Sequence, residues 1–555
     1  MQKILLVIFI IPLFFTLIRP GFFTMQDDLQ AFRVQQMVQC LKDFQIPCRW
    51  IPDMGYQYGY PQFNFYPPSV FYAGALLNLV GFQIIDTVKI LFILGFVLSA
   101  LTMFIFLKAM FSDWPAFVGS LLYSYVPYKA TEVYVRGSLS EFWAFVFFPL
   151  LFWSSLQLVR LGKLKYIVFL AFSIALLLIT HNLMSFIFLP IFGIWSLTLV
   201  AIWKKWNVFP KIIAGCLLGL GMAAFFTLPV IFEKQYVHLE TLTGGYFDYR
   251  QHFVDLKQLF LSNIFGYGSS QLGPNDDLSL STGIIHWLLG LLAVILVLVS
   301  FKKDKKLGTL VLVMAGVELI VLFLMHQKSS FIWERIPLLA LLQFPWRFLA
   351  DSTFILSFLG GAAICIIGRY DKKISIGVGI VVLIGLFVLH FSFFKPKDWL
   401  NITDRDKFSG QSWEKQLTIS IFDYLPIFAK LPPNKKAYGF PEVLDGEVGI
   451  INYKKGSNFQ TGKIDVKNAA TLRLPLFDFP GMEVSVDGKA VSHYHNDCRY
   501  EQYCLGLITF QVPGGQHKIQ AQLKDTPIRT LSNIITIGSL ALGLFIFKIH
   551  EKNVT

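Results

Sequence analysis

Residues 90–107 read ILFILGFVLSALTMFIFL, a run without a single charged side chain. A helix needs about twenty apolar residues to cross the hydrocarbon core of a membrane. Comparable runs recur along the chain and predict a mainly α-helical, polytopic membrane protein of twelve spans. They lie at about 4–18, 86–107, 114–128, 142–159, 166–180, 183–203, 211–232, 282–301, 307–325, 346–368, 374–394 and 528–547.

The composition agrees with a membrane protein. Of 555 residues, 55% are hydrophobic and 15% are charged, whereas an ordinary soluble domain has about 25% charged residues. The mean hydropathy is +0.57. These values exclude a water-soluble enzyme of this size and an intrinsically disordered chain. The six cysteines are too few for a disulfide scaffold, and no cysteine or histidine spacing typical of a metal site occurs.

The basic residues predict which side of the membrane each loop faces. Residues 69–82 are apolar but too short to span, so we place them on the outer membrane surface. The basic clusters then all fall in cytoplasmic loops, as the positive-inside rule requires, and both termini are cytoplasmic. Topology thereby accounts for the net charge of +13 without a nucleic-acid partner. The clusters are 160–165, 204–211, 302–306, 369–373 and 548–552.

The chain divides into three parts. Residues 1–394 form the transmembrane domain, whose first outer loop is 19–85, and residues 528–555 form the last span and a cytoplasmic tail. Residues 395–527, called the outer domain below, contain alternating segments at 471–477, 482–486, 507–512 and 517–523, separated by glycine turns. This pattern predicts an extracytoplasmic, antiparallel β-sandwich, with a helix within 412–430 before it. Asn275-Asp276-Asp277 is interpreted as a loop turn.

The first outer loop begins with a pair of carboxylates, Asp27 and Asp28. Apolar residues at helical spacing follow as far as Phe44, which predicts an amphipathic helix at the membrane surface. An aspartate here can cap the helix. Adjacent carboxylates beside Arg33 and Arg49 can also supply a general base or hold a cation. Residue types alone leave both interpretations open.

Residues 49–68 are rich in aromatic residues, glycine and proline, which predicts a rigid, irregular loop. Trp50, Tyr60 and Tyr66 belong to it. The faces of such rings suit sugars, but aromatic residues also anchor loops at the membrane interface. The sequence does not decide between these two roles.

Further polar groups stand at predicted outer ends of spans: Arg136 and Glu141, His181, and Arg347. Single charges at such positions commonly reach toward the interface without a further role. Arg136 and Arg347 could instead bind a lipid phosphate through two parallel hydrogen bonds. His181 could be a helix-turn residue without a partner.

The order of these motifs resembles one family of bacterial and archaeal membrane proteins, labelled "6-pyruvoyl-tetrahydropterin synthase related", and the related YfhO-type proteins. The resemblance covers nearly the whole chain. It rests on the acidic pair, the Trp-x-Pro-Asp…Phe-Tyr-Pro-Pro loop, Arg-Gly-x-x-x-Glu at 136–141, Gln-Phe-Pro-Trp-Arg-Phe at 343–348 and Phe-Pro-Gly…Asp-Gly-Lys at 479–489. That family looks like a branch of the GT-C glycosyltransferases, which use a lipid-phosphate-linked sugar on the outer face of the membrane.

The resemblance implies an inverting glycosyltransferase in the cell membrane, with a polyprenyl-phosphate sugar donor and a glycan, lipid or protein acceptor. Asp27 and Asp28 fall at the catalytic acidic position. The candidate substrate contacts are Arg33, Trp50, Tyr60, Tyr66, Arg136, Glu141, His181 and Arg347. Many members have His-Asp with a later histidine, whereas Gln26 replaces the first histidine here. This departure leaves open which aspartate is the base and whether a divalent cation binds, and no metal ligand is assigned.

Two other functions remain open on the sequence. A polysaccharide or lipid transporter, or flippase, would have broken helices and ionisable residues buried at mid-membrane, for which only Glu318 and the Asp351 region qualify. A non-catalytic envelope scaffold would carry the outer domain without using the aspartates. Independently, Cys40 with Cys48 and Cys498 with Cys504 are close enough in sequence to form local disulfides in an oxidising outer compartment.

Overall fold

The computed structural model of the protein describes residues 2–273 and 276–552. Asn275 of the predicted turn and residues 553–555 of the predicted tail lie outside this description. The helices are α1 (Gln2–Phe14), α2 (Gln30–Lys42), α3 (Gln62–Phe65), α4 (Ser69–Leu79), α5 (Ile84–Met110), α6 (Asp113–Ser124), α7 (Pro127–Ala130), α8 (Leu139–Leu161), α9 (Lys165–Thr180), α10 (Asn182–Trp203), α11 (Phe209–Met222), α12 (Ala224–Glu233), α13 (Leu256–Phe260), α14 (Ile284–Ser300), α15 (Lys305–Met325), α16 (Ser330–Arg335), α17 (Leu349–Tyr370), α18 (Lys372–His390), α19 (Asp404–Lys407), α20 (Gly410–Thr418) and α21 (Pro527–Lys552).

Within the described residues, eight helices are long and apolar enough to cross a membrane, or nine if one bent pair counts as a span. The eight are Ile84–Met110, Leu139–Leu161, Asn182–Trp203, Ile284–Lys303, Lys305–Met325, Pro345–Tyr370, Lys372–Phe393 and Pro527–Ile549. Gln2–Ile18, Ser69–Leu79 and Lys165–Thr180 are shorter apolar helices. The polytopic fold is confirmed, while the count of twelve stays a prediction. The predicted span 114–128 becomes α6 of 12 residues, shorter than a membrane core requires.

The predicted continuous span 211–232 is a bent pair, since α11 and α12 meet at an angle of 73°. The break falls at Ala223, and the hydroxyl of Thr536 on α21 compensates for it. This hydroxyl accepts a hydrogen bond from Phe225 N at 2.8 Å and donates one to Gly221 O at 3.3 Å. Backbone groups freed by the bend therefore find their partner on another helix, which hydropathy along one segment does not reveal.

The outer domain contains the predicted antiparallel β-structure. Its strands are β3 (Glu442–Asp445), β4 (Val448–Lys455), β5 (Phe459–Val466), β6 (Ala470–Phe477), β7 (Met482–Val486), β8 (Lys489–Val491), β9 (Leu507–Val512) and β10 (Gly515–Leu523). A five-stranded sheet has the order β4-β5-β10-β7-β8, and a three-stranded sheet has the order β3-β6-β9. Buried side chains of both sheets, such as Ile464 and Phe510, belong to one core. The helix expected within 412–430 is confined to α20, because the chain turns with positive φ at Ser420 and Tyr424.

The first outer loop and the outer domain lie at the same end of the helix bundle. β1 (Phe22–Phe23) pairs antiparallel with β2 (Trp399–Leu400), the first strand after α18. The ring of Trp50 packs against Phe479 with centroids 5.8 Å apart. The two predicted outer segments therefore form one continuous structure on the bundle.

Four of the basic clusters, 160–165, 204–211, 302–306 and 369–373, gather at the other end of the bundle, where α8 ends. Lys205 Nζ donates to Arg160 O at 2.9 Å, and Arg369 Nη1 lies 2.9 Å from Asp304 Oδ2. Lys306 lies over the ring of Trp203. These four clusters come from loops far apart in sequence, so their meeting agrees with the assignment of one membrane side to the four.

Candidate functional site

The backbone of the first outer loop holds Asp27 beside the turn that precedes α8. Gln26 N donates to Val135 O at 2.9 Å, and Asp27 N donates to Arg136 O at 2.8 Å. The turn continues through Gly137, whose φ of +67° favours glycine. A Cβ at this position would lie 2.3 Å from the sulfur of Met25, so only glycine allows the loop to approach this closely.

Asp27 carries a half-exposed carboxylate next to a buried guanidinium group. Its Oδ2 accepts hydrogen bonds from Gln30 Nε2 at 2.7 Å and from Arg33 Nη1 at 2.9 Å. Arg33 in turn lies over the ring of Tyr66, 4.3 Å from its centroid. Helix α2 begins after Leu29 without a side-chain cap, so helix capping does not account for either aspartate.

Asp28 faces a different cation and a different element. Its Oδ2 lies 2.5 Å from Nζ of Lys407, a nearly buried residue of α19 in the outer domain. Burial raises the pKa of the Asp28 carboxyl, although the charge of Lys407 acts against this rise. Asp28 therefore ties the first outer loop to the outer domain, and the two adjacent carboxylates do not converge on one point.

A second group of charges surrounds the buried carboxylate of Glu141 on α8. Its Oε2 lies 3.1 Å from Arg136 Nη1, 3.3 Å from Arg347 Nε and 3.9 Å from His181 Nε2. The hydroxyl of Tyr128 donates to Oε1 at 2.9 Å. The four residues that the sequence places at separate outer span ends therefore meet in one cluster.

Several interactions complete this cluster. Arg136 also pairs with the buried Glu132 and lies over the ring of Trp346, 4.7 Å from its centroid. Arg347 Nη1 donates to Leu342 O at 2.5 Å and to Gln343 Oε1 at 3.0 Å. Two guanidinium groups are thus held side by side in fixed orientations, as binding of an oxyanion requires.

Tyr66 connects the two groups of charges. Burial raises the pKa of its phenol. The charge of Arg33 acts against this rise, and the charges of Asp27 and Glu141 add to it. The Tyr66 phenol therefore interacts electrostatically with both groups of charges. We call the combined set the outer charged site, which consists of Asp27, Arg33, Tyr66, Arg136, Glu141, His181 and Arg347.

Two residues of the outer domain border this site and were not predicted from the sequence. Asp423 is close enough to Arg33 and Asp27 to feel both charges, and burial raises the pKa of its carboxyl to about 6. Tyr424 stacks on Phe65 with ring centroids 5.6 Å apart. Nothing local marks either residue, because their place depends on contact between the outer domain and the first outer loop.

The raised pKa of Asp423 predicts a specific pH dependence of stability. The folded state holds its proton to higher pH than the unfolded state, so stability contributed by this group is full below about pH 4 and falls until about pH 6. Asparagine stays neutral at every pH, so we expect the stability of Asp423→Asn not to fall between about pH 4 and pH 6 through this group. Thermal unfolding of both proteins across this range is the measurement, and parallel curves would contradict the prediction.

Trp50 and Tyr60 do not join the outer charged site. Trp50 is 1% exposed and Tyr60 is 0% exposed. The ring of Trp50 covers Gly59, where a Cβ would lie 2.3 Å from its indole nitrogen, and the Tyr60 hydroxyl donates to Ile421 O at 3.5 Å. Their rings are covered by protein, so they pack the first outer loop onto the outer domain and have no face free for a sugar.

The cysteines pair as predicted, since Cys40 is joined to Cys48 and Cys498 to Cys504. Among the described residues, the one convergent set of metal-ligating side chains is Cys498, Glu501 and Cys504. Its two thiols are consumed by the disulfide, so this set does not fit a metal ion.

The chain is similar to a known family in sequence and to known structures in fold. Residues 63–388 match the family model described as "6-pyruvoyl-tetrahydropterin synthase related domain; membrane protein". Among curated proteins, none matches the chain by sequence. Several solved structures resemble the fold of this chain only distantly, each with a TM-score below 0.5.

One is the oligosaccharyltransferase of Archaeoglobus fulgidus in the apo form, with 12% identity, a TM-score of 0.47, and coverage of 79% of this chain and 61% of that one. The same organism's AglB in complex with an inhibitory peptide and a dolichol-phosphate has 11% identity, a TM-score of 0.45, and coverage of 79% and 61%. The arabinofuranosyltransferase AftD from Mycobacteria has 11% identity, a TM-score of 0.43, and coverage of 72% and 27%. The chain thus spans less than two thirds of each.

The family match extends from Phe63 in the first outer loop into α18, and includes Arg136, Glu141, His181 and Arg347. It covers more than half of the chain. This protein therefore belongs to the family of membrane proteins with a 6-pyruvoyl-tetrahydropterin synthase related domain.

Proposed function

We propose that the protein is a membrane glycosyltransferase that transfers a sugar from a polyprenyl-phosphate donor to a glycan, lipid or protein acceptor. The observation that carries the proposal is the outer charged site at one end of the bundle. There the half-exposed carboxylate of Asp27 contacts the guanidinium group of Arg33, and the guanidinium groups of Arg136 and Arg347 both contact Glu141. A base for a hydroxyl and a cationic cradle for a phosphate are the two requirements of this reaction.

Asp27 is the proposed general base. Its carboxylate takes the proton of an acceptor hydroxyl while the hydroxyl oxygen attacks the anomeric carbon of the donor. The bond between this carbon and the phosphate oxygen breaks, and the phosphate leaves with the electron pair, which inverts the anomeric centre. The described contacts of Asp27 with Gln30 and Arg33 both involve Oδ2, which leaves Oδ1 for the proton.

Arg136 and Arg347 are the proposed phosphate ligands. Both approach the same oxygen of Glu141, so this carboxylate keeps two like charges together before the donor arrives. Groups fixed in advance stabilise the developing charge of the leaving phosphate without reorganisation during the reaction. Glu141 and Tyr128 act as positioning residues in this scheme.

We expect Arg347→Lys to weaken apparent donor affinity by roughly tenfold to a hundredfold, and Arg347→Ala to weaken it more. Arg347 bonds through Nε and Nη1 to different partners, and a lysine amine cannot reproduce this planar fork. Charge-assisted hydrogen bonds contribute about 1.5–3 kcal/mol each. The measurement is donor titration with purified protein.

The matched control is Arg335→Lys, an exposed arginine at the end of α16, which should leave donor affinity unchanged. Equal affinity of wild type and Arg347→Lys would indicate that Arg347 has a structural role only, through its contacts with Glu141, Leu342 and Gln343. The phosphate site would then be assigned to Arg136 without Arg347.

The proposed reaction places the first outer loop and the outer domain outside the cell, and both termini in the cytoplasm. We expect an impermeant maleimide to label Lys489→Cys in intact cells, and to label Lys305→Cys only after permeabilisation. Both positions are exposed, and wild type with its unpaired Cys216 and Cys365 gives the background. Equal labelling of both variants in intact cells would contradict this orientation.

Transport of a lipid or polysaccharide is a second candidate, favoured by the bent pair of α11 and α12, since broken helices are typical of transporters. In this protein the first outer loop also contacts the bend, because Arg49 Nη1 donates a hydrogen bond to Phe225 O at 3.1 Å. Reconstituted vesicles with a lipid-phosphate sugar and no acceptor separate the candidates. Movement of this lipid between leaflets, equal in wild type and Asp27→Asn, would favour transport.

A further inference from the structure

A pocket of about 180 Å³ lies on the outer domain, and it shares no lining residue with the outer charged site. Five aromatic side chains line it, from three separate segments of the chain. They are Tyr58 of the first outer loop, Tyr438, Phe440, Tyr500 and Tyr503. The pocket is smaller than the roughly 300–1,000 Å³ that usually enclose a small molecule, so its size suits part of a larger ligand.

Four of the five aromatic side chains present open ring surfaces, whereas Tyr58 is buried. Tyr438 and Phe440 are each 57% exposed, and Tyr500 is 80% exposed. Exposed rings clustered at one place on a soluble surface indicate a binding site more than chance exposure does. A tyrosine ring offers an apolar face together with a polar hydroxyl, which matches the alternating C–H and O–H groups of a sugar.

The floor of the pocket is polar and fixed. Arg473 of β6 is buried and donates to Glu442 Oε2 at 2.6 Å and to the carbonyl of Arg499 at 2.8 Å. Its Nη1 also lies 3.0 Å from Glu501 Oε1. One guanidinium group and two carboxylates, with Lys435 and Lys436 also in the lining, place charges of both signs and hydrogen-bonding groups close together. This arrangement suits hydroxyl groups better than a lipid chain or a strongly charged ligand.

The rim of the pocket, all of it within the described residues, has no regular secondary structure, but a disulfide and a hydrogen bond restrain its conformation. The disulfide between Cys498 and Cys504 closes the segment that carries Tyr500, Glu501 and Tyr503. At its edge, Asn434 Nδ2 donates to Gln502 Oε1 at 3.0 Å. A loop ordered before binding loses less conformational entropy when a ligand arrives.

We propose that this pocket binds one or two rings of an oligosaccharide chain, with the rest of the chain outside. The ligand class follows from aromatic faces, planar amides and an arginine paired with two carboxylates in one place. The proposal goes beyond the transfer reaction and does not rest on it, because a glycan can bind here without any transfer at the outer charged site.

The test uses the purified full-length protein on an array of short oligosaccharides of glucose, mannose, galactose, arabinose, rhamnose and uronic acids. We expect binding to at least one of these probes, and a loss of about tenfold in affinity for each ring removed in Tyr500→Ala and Tyr503→Ala. Asn434→Ala, at the polar rim, should weaken the same probe. Absence of binding to every probe would overturn the proposal.

Ile451→Ala is the matched control, since Ile451 is an exposed apolar side chain on β4 that does not line the pocket. Affinity unchanged by the tyrosine variants, or reduced equally in Ile451→Ala, would also overturn the proposal. Asp27→Asn should bind the array as wild type does. A protein that binds glycans but transfers no sugar would contradict only the proposed function. A protein that transfers sugar but binds no glycan in this pocket would contradict only the present proposal.

Discussion

Asp27→Asn should reduce sugar transfer by a factor of about 10²–10⁴, the usual contribution of a general base. Asparagine has nearly the same shape and keeps an oxygen for the hydrogen bond from Arg33, but it cannot take a proton. The side chain is 34% exposed, so the substitution should leave folding and membrane insertion intact. The measurement is the initial rate of transfer from a polyprenyl-phosphate donor, together with the unfolding temperature.

Asp28→Asn is the matched control, with an adjacent carboxylate in a similar exposure. Because Asp28 pairs with Lys407 of the outer domain, its loss should lower stability modestly and retain most of the transfer rate. Loss of transfer in Asp28→Asn alone would move the base to Asp28. Full activity in both variants would remove the catalytic role of the pair.

The features that the sequence predicts are those with a local physical cause. Apolar runs, alternating strands and glycine turns depend on neighbours within one element, so the helical membrane domain and the β-rich outer domain could be predicted. The sequence also predicts that Arg136, Glu141, His181 and Arg347 stand at span ends, but their contacts with one another come from the fold.

The features that escaped prediction depend on contacts between distant segments. Trp50 and Tyr60 have the residue type of a sugar platform, but the outer domain covers them. Asp423 belongs to a segment that the sequence assigns to a helix, and only the fold brings it to Arg33. The break at Ala223 is stable because Thr536 of the last helix supplies its hydrogen bonds.

Glu233→Gln should lower the free energy of unfolding by about 3–5 kcal/mol, because it removes one partner of a buried ion pair. Glu233 Oε2 lies 2.9 Å from Arg529 Nε and accepts a hydrogen bond from Asn64 Nδ2 at 2.8 Å. Neither Glu233 nor Arg529 is accessible to solvent beyond 2% of its side chain. Midpoints of denaturant unfolding in detergent are the measurement.

The size of this effect depends on a second cation. Burial, and then the charge of Arg529, lower the pKa of Arg49 to about 10, so the two guanidinium groups already oppose each other while Glu233 is present. Without the carboxylate, Arg49 of the first outer loop and Arg529 of the last helix would repel each other, and Asp525, 3.4 Å from Arg49 Nε, would be the counter-charge that remains.

Two comparisons separate the loss of charge balance from the loss of a contact. In Glu233→Leu combined with Arg529→Leu, no buried charge lacks its partner, so the double variant should be more stable than Glu233→Gln despite lacking more hydrogen bonds. Glu447→Ala breaks an ion pair with Lys467 that is mostly exposed, and should change stability by only about 0–1 kcal/mol. A double variant less stable than Glu233→Gln would show that the hydrogen bonds, not the balance of charge, join the last helix to the loop that carries Asp27.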